Sequence, residues 1–274
     1  MPTTTAKPGR SGRRTALPKK RVLDWLREHI PKREQRGLEE VAAHLFDAAS
    51  AHAAELTVEQ WGVVVRTAKR FLERREVDVD LRKVLPEGWD LVAANLEDCC
   101  GARVDTTTTT VLIRCQDSPF IFEGVRNFLR KRGIHIFLGL HPVFDGGREG
   151  RQLIYLQIDK MVHPQRLAEL RLDLAWLLRG VMLSIHDFPR YRRRLMAIAA
   201  QLRDGRERSE VAAFADWLVD DHFIFLGYQA FEADGPRGSF RPVRGSGLGL
   251  FRDRRPDLYG ILTQPGLRPD LRED

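Results

Sequence analysis

Cysteine is scarce in this 274-residue chain, and the three present, Cys99, Cys100 and Cys115, make an odd count. With no secretory leader, that count argues against a disulfide framework and for a reducing, cytoplasmic setting. Cys99 and Cys100 are adjacent and point apart, with no His and acid assignable to activate them. No window approaches the roughly 18 uninterrupted apolar residues of a spanning helix, so a membrane span is excluded. His135, His141, His163, His222 and Asp159 lack the close spacing that fixes metal ligands in one geometry, and sheet histidines that are merely satisfied or exposed are the commoner case. Interleaved aromatic and basic residues are missing too. The formal charge of +7 therefore reads as solvated faces in preference to a nucleic-acid surface.

What is present is enough to build a core. Hydrophobic residues make up 43% of the chain, which suits two or three small domains. Residues 1–20 form a basic, Pro- and Thr-containing tail with neither the core of a signal peptide nor that of an anchor. In residues 21–97 three amphipathic helices are expected. Val22, Leu23, Leu26 and Ile30 mark the first, stopped by Pro31, and Leu38, Val41, Leu45, Phe46 and Ala49 mark the second. Trp61, Val64, Val65, Ala68, Phe71 and Leu72 mark the third, behind a reciprocal cap of Thr57 and Gln60. Pro86-Glu-Gly88 is a turn, Trp89 to Leu96 suits either helix or strand, and Thr106 to Thr110 favours extended chain.

From Thr110 the periodicity changes. Val111, Ile113 and Cys115 alternate as on a half-buried strand; Ser118 can cap a helix beginning at Pro119; Ile121, Val125, Phe128 and Leu129 form its stripe; and Gly133 closes it. Ile134, Ile136, Leu138 and Leu140 resume period two, a hairpin passes through residues 145–150, and Gln152 to Asp159 forms another strand. His163-Pro164 opens a long helix carrying Leu167, Leu170, Leu174, Leu178 and Val181. The sum is α+β: a βαββα unit over residues 98–187, ferredoxin-like but short of its last strand. A helical linker over 188–220 follows, in which Pro189 begins or kinks a helix and Ser209 caps one bearing Val211, Phe214 and Leu218. Residues 221–274 turn β again, with a strong strand from His222 to Phe231 and a partner around Phe240 to Val243. This hairpin either completes the first sheet from a distance or opens a second, incomplete domain, and the second reading is preferred.

Several stretches together, in this order and spacing, carry a resemblance. They are Asp117-Ser-Pro-Phe-Ile121, Ile134-His135 leading to His141-Pro-Val-Phe144, Gln157-Ile-Asp-Lys160, Asp221-His-Phe-Ile-Phe-Leu-Gly-Tyr228 and Gly245-Ser-Gly-Leu-Gly-Leu-Phe-Arg252. The chain resembles the N-terminal region of the large bacterial NAD-specific glutamate dehydrogenases. The resemblance implies ACT-like regulatory modules here and a dehydrogenase domain elsewhere, the family reaction being oxidative deamination of glutamate to 2-oxoglutarate with reduction of NAD. It implies no cofactor in this chain itself, no catalytic residue, and partners that are other copies, the remaining dehydrogenase domains or an amino-acid effector. ACT modules place an acidic residue, a turn and a Pro between first strand and first helix, so the implied effector loop is Asp117, Ser118, Pro119 and Phe120, with Gly133 and His135 at the second strand. Such modules usually follow the Pro with Gly. Phe120 stands there instead, with a side chain expected to fill the space a ligand would use. A free-standing ACT-like sensing or dimerisation module is the alternative.

Two local patterns read as structure. Gly245-Ser-Gly-Leu-Gly249 lacks the helix that follows a dinucleotide loop, and Ser246 lacks the strand-to-helix elbow of a nucleophile.

Overall fold

Thr57 and Gln60 cap each other as their spacing predicts: the Gln60 amide donates to Thr57 Oγ1 at 3.2 Å and the Thr57 amide donates to Gln60 Oε1 at 2.8 Å. Such a box stabilises a helix start by about 1 kcal/mol. In the computed structural model it opens α3 (Val58–Glu73), which follows α1 (Lys19–His29) and α2 (Leu38–Asp47). The structure describes residues 19–49, 53, 55–75, 77–95, 107–144, 150–203, 209–222, 224–234 and 239–252. Cys99 and Cys100, residues 1–18 and most of the hairpin at 145–150 lie outside these.

Two compact units divide the chain, residues 1–118 with 126–172 and residues 119–125 with 173–274. In the first, the three helices pack as their apolar stripes require. Phe46 stacks on Trp61 with ring centroids 4.4 Å apart, and Trp61 Nε1 donates to the Ala53 carbonyl at 3.1 Å. The short α4 (Val79–Arg82) and the Pro86 turn, with Gly88 at φ +80, lead into β1 (Asp90–Ala94). The ambiguous segment after Trp89 is therefore strand.

β2 (Thr108–Gln116), β3 (Ile136–Leu140), β4 (Val143–Phe144) and β5 (Arg151–Asp159) complete an antiparallel sheet in the order β1-β2-β5-β3, with β4 also paired to β5. The fold is thus α+β. β2 and β3 run the same way, joined through α5 (Ile121–Lys131), with β5 between them. The strand not foreseen downstream of the unit is supplied from upstream: β1 lies on the free side of β2, Leu91 opposite Ile113 and Ala93 opposite Val111. One sheet face, with Leu112, Leu138, Leu140, Leu153 and Tyr155, shares a single core with α1, α2 and α3. The other, with Val111, Ile113, Cys115, Ile154, Leu156 and Ile158, is equally buried.

α5 begins at Ile121, not at Pro119. Phe120 precedes it in a left-handed conformation, φ +67, and its carbonyl accepts from the Gly124 amide at 2.8 Å, so the first helical bond closes on Phe120 and Pro119 is left in the turn. At the other end Gly133, φ +71, closes the helix as expected, with Ile134 N bonded to Leu129 O.

In the second unit, α6 (Pro164–Arg203) contributes its residues from 173 onward. It runs unbroken through Pro189. One missing donor is outweighed by buried neighbours such as Leu183 and Tyr191. α7 (Ser209–Trp217) passes into a π-helical turn, Leu218–His222. The strong strand expected from His222 to Phe231 is instead two short ones, β6 (Gly227–Tyr228) and β7 (Phe231–Asp234). β7 pairs with β8 (Ser239–Pro242), and β6 with β9 (Leu248–Gly249). The ladder breaks because the Leu226 carbonyl accepts from Ser184 Oγ and the Leu250 amide, which ties that backbone to α6 and the β9 turn.

Gly62 tests this packing. A Cβ there would collide with the Trp25 ring. A Gly→Ala change within a helix normally gains up to about 1 kcal/mol, yet Gly62→Ala is expected to lose about 1–3 kcal/mol through overpacking. Urea unfolding followed by tryptophan fluorescence reads the sign.

Candidate functional site

The loop singled out by the sequence is held by backbone contacts. Asp117 is exposed and its amide donates to the Gly150 carbonyl at 2.7 Å; Ser118 is half-buried and Pro119 exposed. Phe120 is 50% exposed, and its positive φ is the posture a glycine would take there. Gly133 is exposed. His135 is exposed as well, and its contacts stay within the sheet: its amide donates to Asp159 Oδ2 at 2.7 Å, Asp159 N donates back to the His135 carbonyl, and its ring meets Phe137 edge-on at 4.6 Å. Among the described residues no three His, Cys, Asp or Glu side chains gather as a metal site would. Cys115 is buried beside Gln152, to whose Oε1 its thiol donates at 3.7 Å, and burial, with Asp117 adding to it, pushes the thiol up to about 12. It is a packed, inert group.

Two polar nodes went unnoticed in the sequence. Asp90 is fully buried at the start of β1; its Oδ1 accepts from the Leu91 amide at 2.9 Å, while Oδ2 has no hydrogen bond and stands 3.9 Å from Arg114 Nη2 and 4.0 Å from Arg74 Nε. Arg114 Nη1 meanwhile donates to the Leu72 and Arg74 carbonyls at 3.0 and 3.1 Å, satisfying the end of α3. Burial raises the Asp90 carboxyl above its usual range, opposed by Arg74 and Arg114. The signal available was a lone charge opening an apolar strand.

The second node is Asp187, fully buried in α6. It accepts from the Gly249 amide at 2.9 Å and from Arg252 Nη2 at 2.5 Å. Ser246 Oγ accepts from Gln229 Nε2 at 2.6 Å and from the Ala230 amide at 3.1 Å, and lies 2.8 Å from the Val243 carbonyl, to which it donates. Tyr191, whose hydroxyl donates to Leu226 O at 3.4 Å, is pushed up to about 12 by burial and by Asp187. These residues do not fit a dinucleotide. The Gly249 amide that a phosphate would need is held by Asp187, residues 250–252 form a turn, and Ser246 is saturated within its own loop.

No family model matches the chain. Two curated proteins do resemble it. The NAD-specific glutamate dehydrogenase of Halomonas elongata is 28% identical over 197 residues, covering 62% of this chain and 12% of that protein. The NAD-specific glutamate dehydrogenase of Pseudomonas aeruginosa is 29% identical over 182 residues, covering 56% and 11%. Over these stretches the chain is similar to NAD-specific glutamate dehydrogenases. It spans about an eighth of the length of the curated relatives it matches.

Both nodes give measurable consequences. A carboxyl raised in the folded state binds more protons there than in the unfolded chain, so its contribution to stability falls as pH rises from about 3.8 through the folded value and is flat above it. The stability difference between the native chain and Asp90→Asn should therefore move in favour of the native chain as pH falls from 7 toward 4. A pH-independent difference in urea midpoint contradicts this. In the second unit, Gly249→Ala sets a Cβ against the Tyr191 hydroxyl and the Leu226 carbonyl at φ +56. Faster amide exchange at Leu248 to Arg252, with the three-helix core unaffected, is the expected outcome.

Proposed function

We propose that this chain is a non-catalytic regulatory and subunit-contact portion of a large NAD-specific glutamate dehydrogenase. In this reading the sheet is a ferredoxin-like, ACT-like unit in permuted form, β1 taking the position that the last strand holds in the usual order. NAD and glutamate are handled by polypeptide outside this chain, and the partners are other copies and the remaining dehydrogenase domains. The observation that carries the reading is the kinship with enzymes of which the chain spans about an eighth. The chemistry of the buried polar groups supports it. Asp90, Cys115, Tyr191 and the half-buried Ser246 each serve a neighbouring backbone or side chain, and among the described residues none combines with a base and an oxyanion donor.

Between effector response and subunit contact, Phe120 favours contact. A half-exposed aromatic in the position where ACT modules keep glycine obstructs the close backbone approach an amino acid needs, and offers an apolar knob to a protein surface.

The purified chain mixed with glutamate and NAD should give no NADH absorbance. Calorimetry with a panel of amino acids should give no saturable heat. Turnover overturns the non-catalytic assignment; saturable binding of one amino acid, lost in Asp117→Ala, replaces it with the free-standing sensor.

A further inference from the structure

α7 is amphipathic in the opposite sense to an ordinary surface helix. Its small residues are buried, Ala212 and Ala215 followed by Val219, whereas Val211 is 54% exposed, Phe214 57% and Trp217 47%. Phe214 and Trp217 stack in near-parallel planes, centroids 5.9 Å apart, so the exposed aromatics form one ordered knob. Beside it lies an open groove lined by Arg192 and Met196 of α6, Asp216 and Trp217 of α7, and Val219 and Asp220 of the π-helical turn. Arg192, Arg193 and Arg194 are exposed along the α6 wall, and Glu210 and Asp220 are exposed on the α7 side. Trp, Phe, Met and Arg are the residues enriched at protein interfaces, and a solvated helix has no physical reason to turn three large apolar side chains outward.

The geometry points to a second copy of this chain as the occupant, docked across a two-fold axis with the Phe214 knob of one copy in the α6–α7 groove of the other. Charge decides for self-association. An acidic partner would meet Asp220, Asp216 being already paired with Arg203, and a basic one would meet the arginines. A two-fold instead sets the Arg192 wall of each copy against the Asp220 wall of the other, and knob and groove are satisfied together. This rests on the subunit-contact half of the function proposed above, and its test involves neither glutamate nor NAD, so turnover by the chain would sink that function while leaving the dimer standing.

Sedimentation velocity on the full chain over a range of concentrations should show the 31.4 kDa species giving way to one of twice the mass. Phe214→Ser should raise the dissociation constant about tenfold or more, as loss of a central aromatic anchor does. Arg192→Glu and Asp220→Arg should each weaken pairing, and an equimolar mixture of those two variants should recover it, because each then faces its opposite charge across the axis. Circular dichroism of every variant should match the native chain, and if Phe214→Ser does not fold, the charge-swapped mixture alone decides. A monomer at all concentrations, a dimer indifferent to the folded Phe214→Ser, or a mixture that pairs no better than its components overturns the proposal.

Discussion

Leu153, Ile154, Tyr155 and Leu156, consecutive in β5, have no accessible surface at all. An antiparallel strand normally alternates between core and water; four neighbours at zero exposure mean that both faces of the sheet must be roofed. Everything in the first unit answers this demand. β5 takes the centre, between β2 and β3, and the three helices set Leu26, Leu45, Trp61 and Val64 into one core with the Leu153 and Tyr155 face. Burial at about 25 cal/mol per Å2 of apolar surface makes this the dominant favourable term. A sheet closed in this way offers neither face to a ligand.

The polar groups trapped by that closure are arranged to hold it in register. At one end of the sheet Asn95, Thr109 and Met161 form a closed ring: Thr109 Oγ1 donates to Asn95 Oδ1, Asn95 Nδ2 to the Met161 carbonyl, and the Met161 amide back to Thr109 Oγ1. At the other, Arg114 reaches from β2 to the last carbonyls of α3, and the buried Asp90 on β1 supplies the countercharge at long range. The sheet and the helical roof are thus linked by directional bonds as well as by area. Because a one-residue slip would turn each strand inside out, such fixed points have a stabilising role that exceeds their modest individual energies.

Local signals told most of this in advance. The Thr57 to Gln60 cap, the stripes of the first three helices, the closing Gly133 and the alternation of Val111 to Cys115 each depend on residues within a turn or a strand of one another. β1 was ambiguous because Asp90-Leu-Val-Ala-Ala94 has weak strand preference, and its pairing with β2, some 20 residues distant, decides it. The start of α5 was misplaced because Ser118-Pro119 is a good start signal, while Phe120 adopts a backbone posture that no residue rule anticipates for an aromatic. Of the site residues, Asp117 to Phe120 do form one loop, but the contacts of His135 go to Asp159 and Phe137. Val211, Phe214 and Leu218 mark α7 as a helix but leave its orientation open, because a stripe rule assumes that large apolar groups face inward. That assumption fails in α7, where Ala212 and Ala215 are buried and Phe214 is exposed.

The two units meet this rule differently. In the first, apolar surface is consumed by closing the sheet, and buried cations such as Arg66 and Lys69 are paired with Glu34 and Glu73. In the second, Asp187 pins the Gly-rich turn to α6 from within, through Gly249 and Arg252, which leaves the outer side of α6 and α7 with no internal task. Their exposed Val211, Phe214 and Met196 are then unexplained by folding. Hydrophobic surface that does not serve the fold must be covered by something else or be a liability. Charges of both signs around the groove restrict what can cover it, because a surface of one sign would meet its like on one of the two walls.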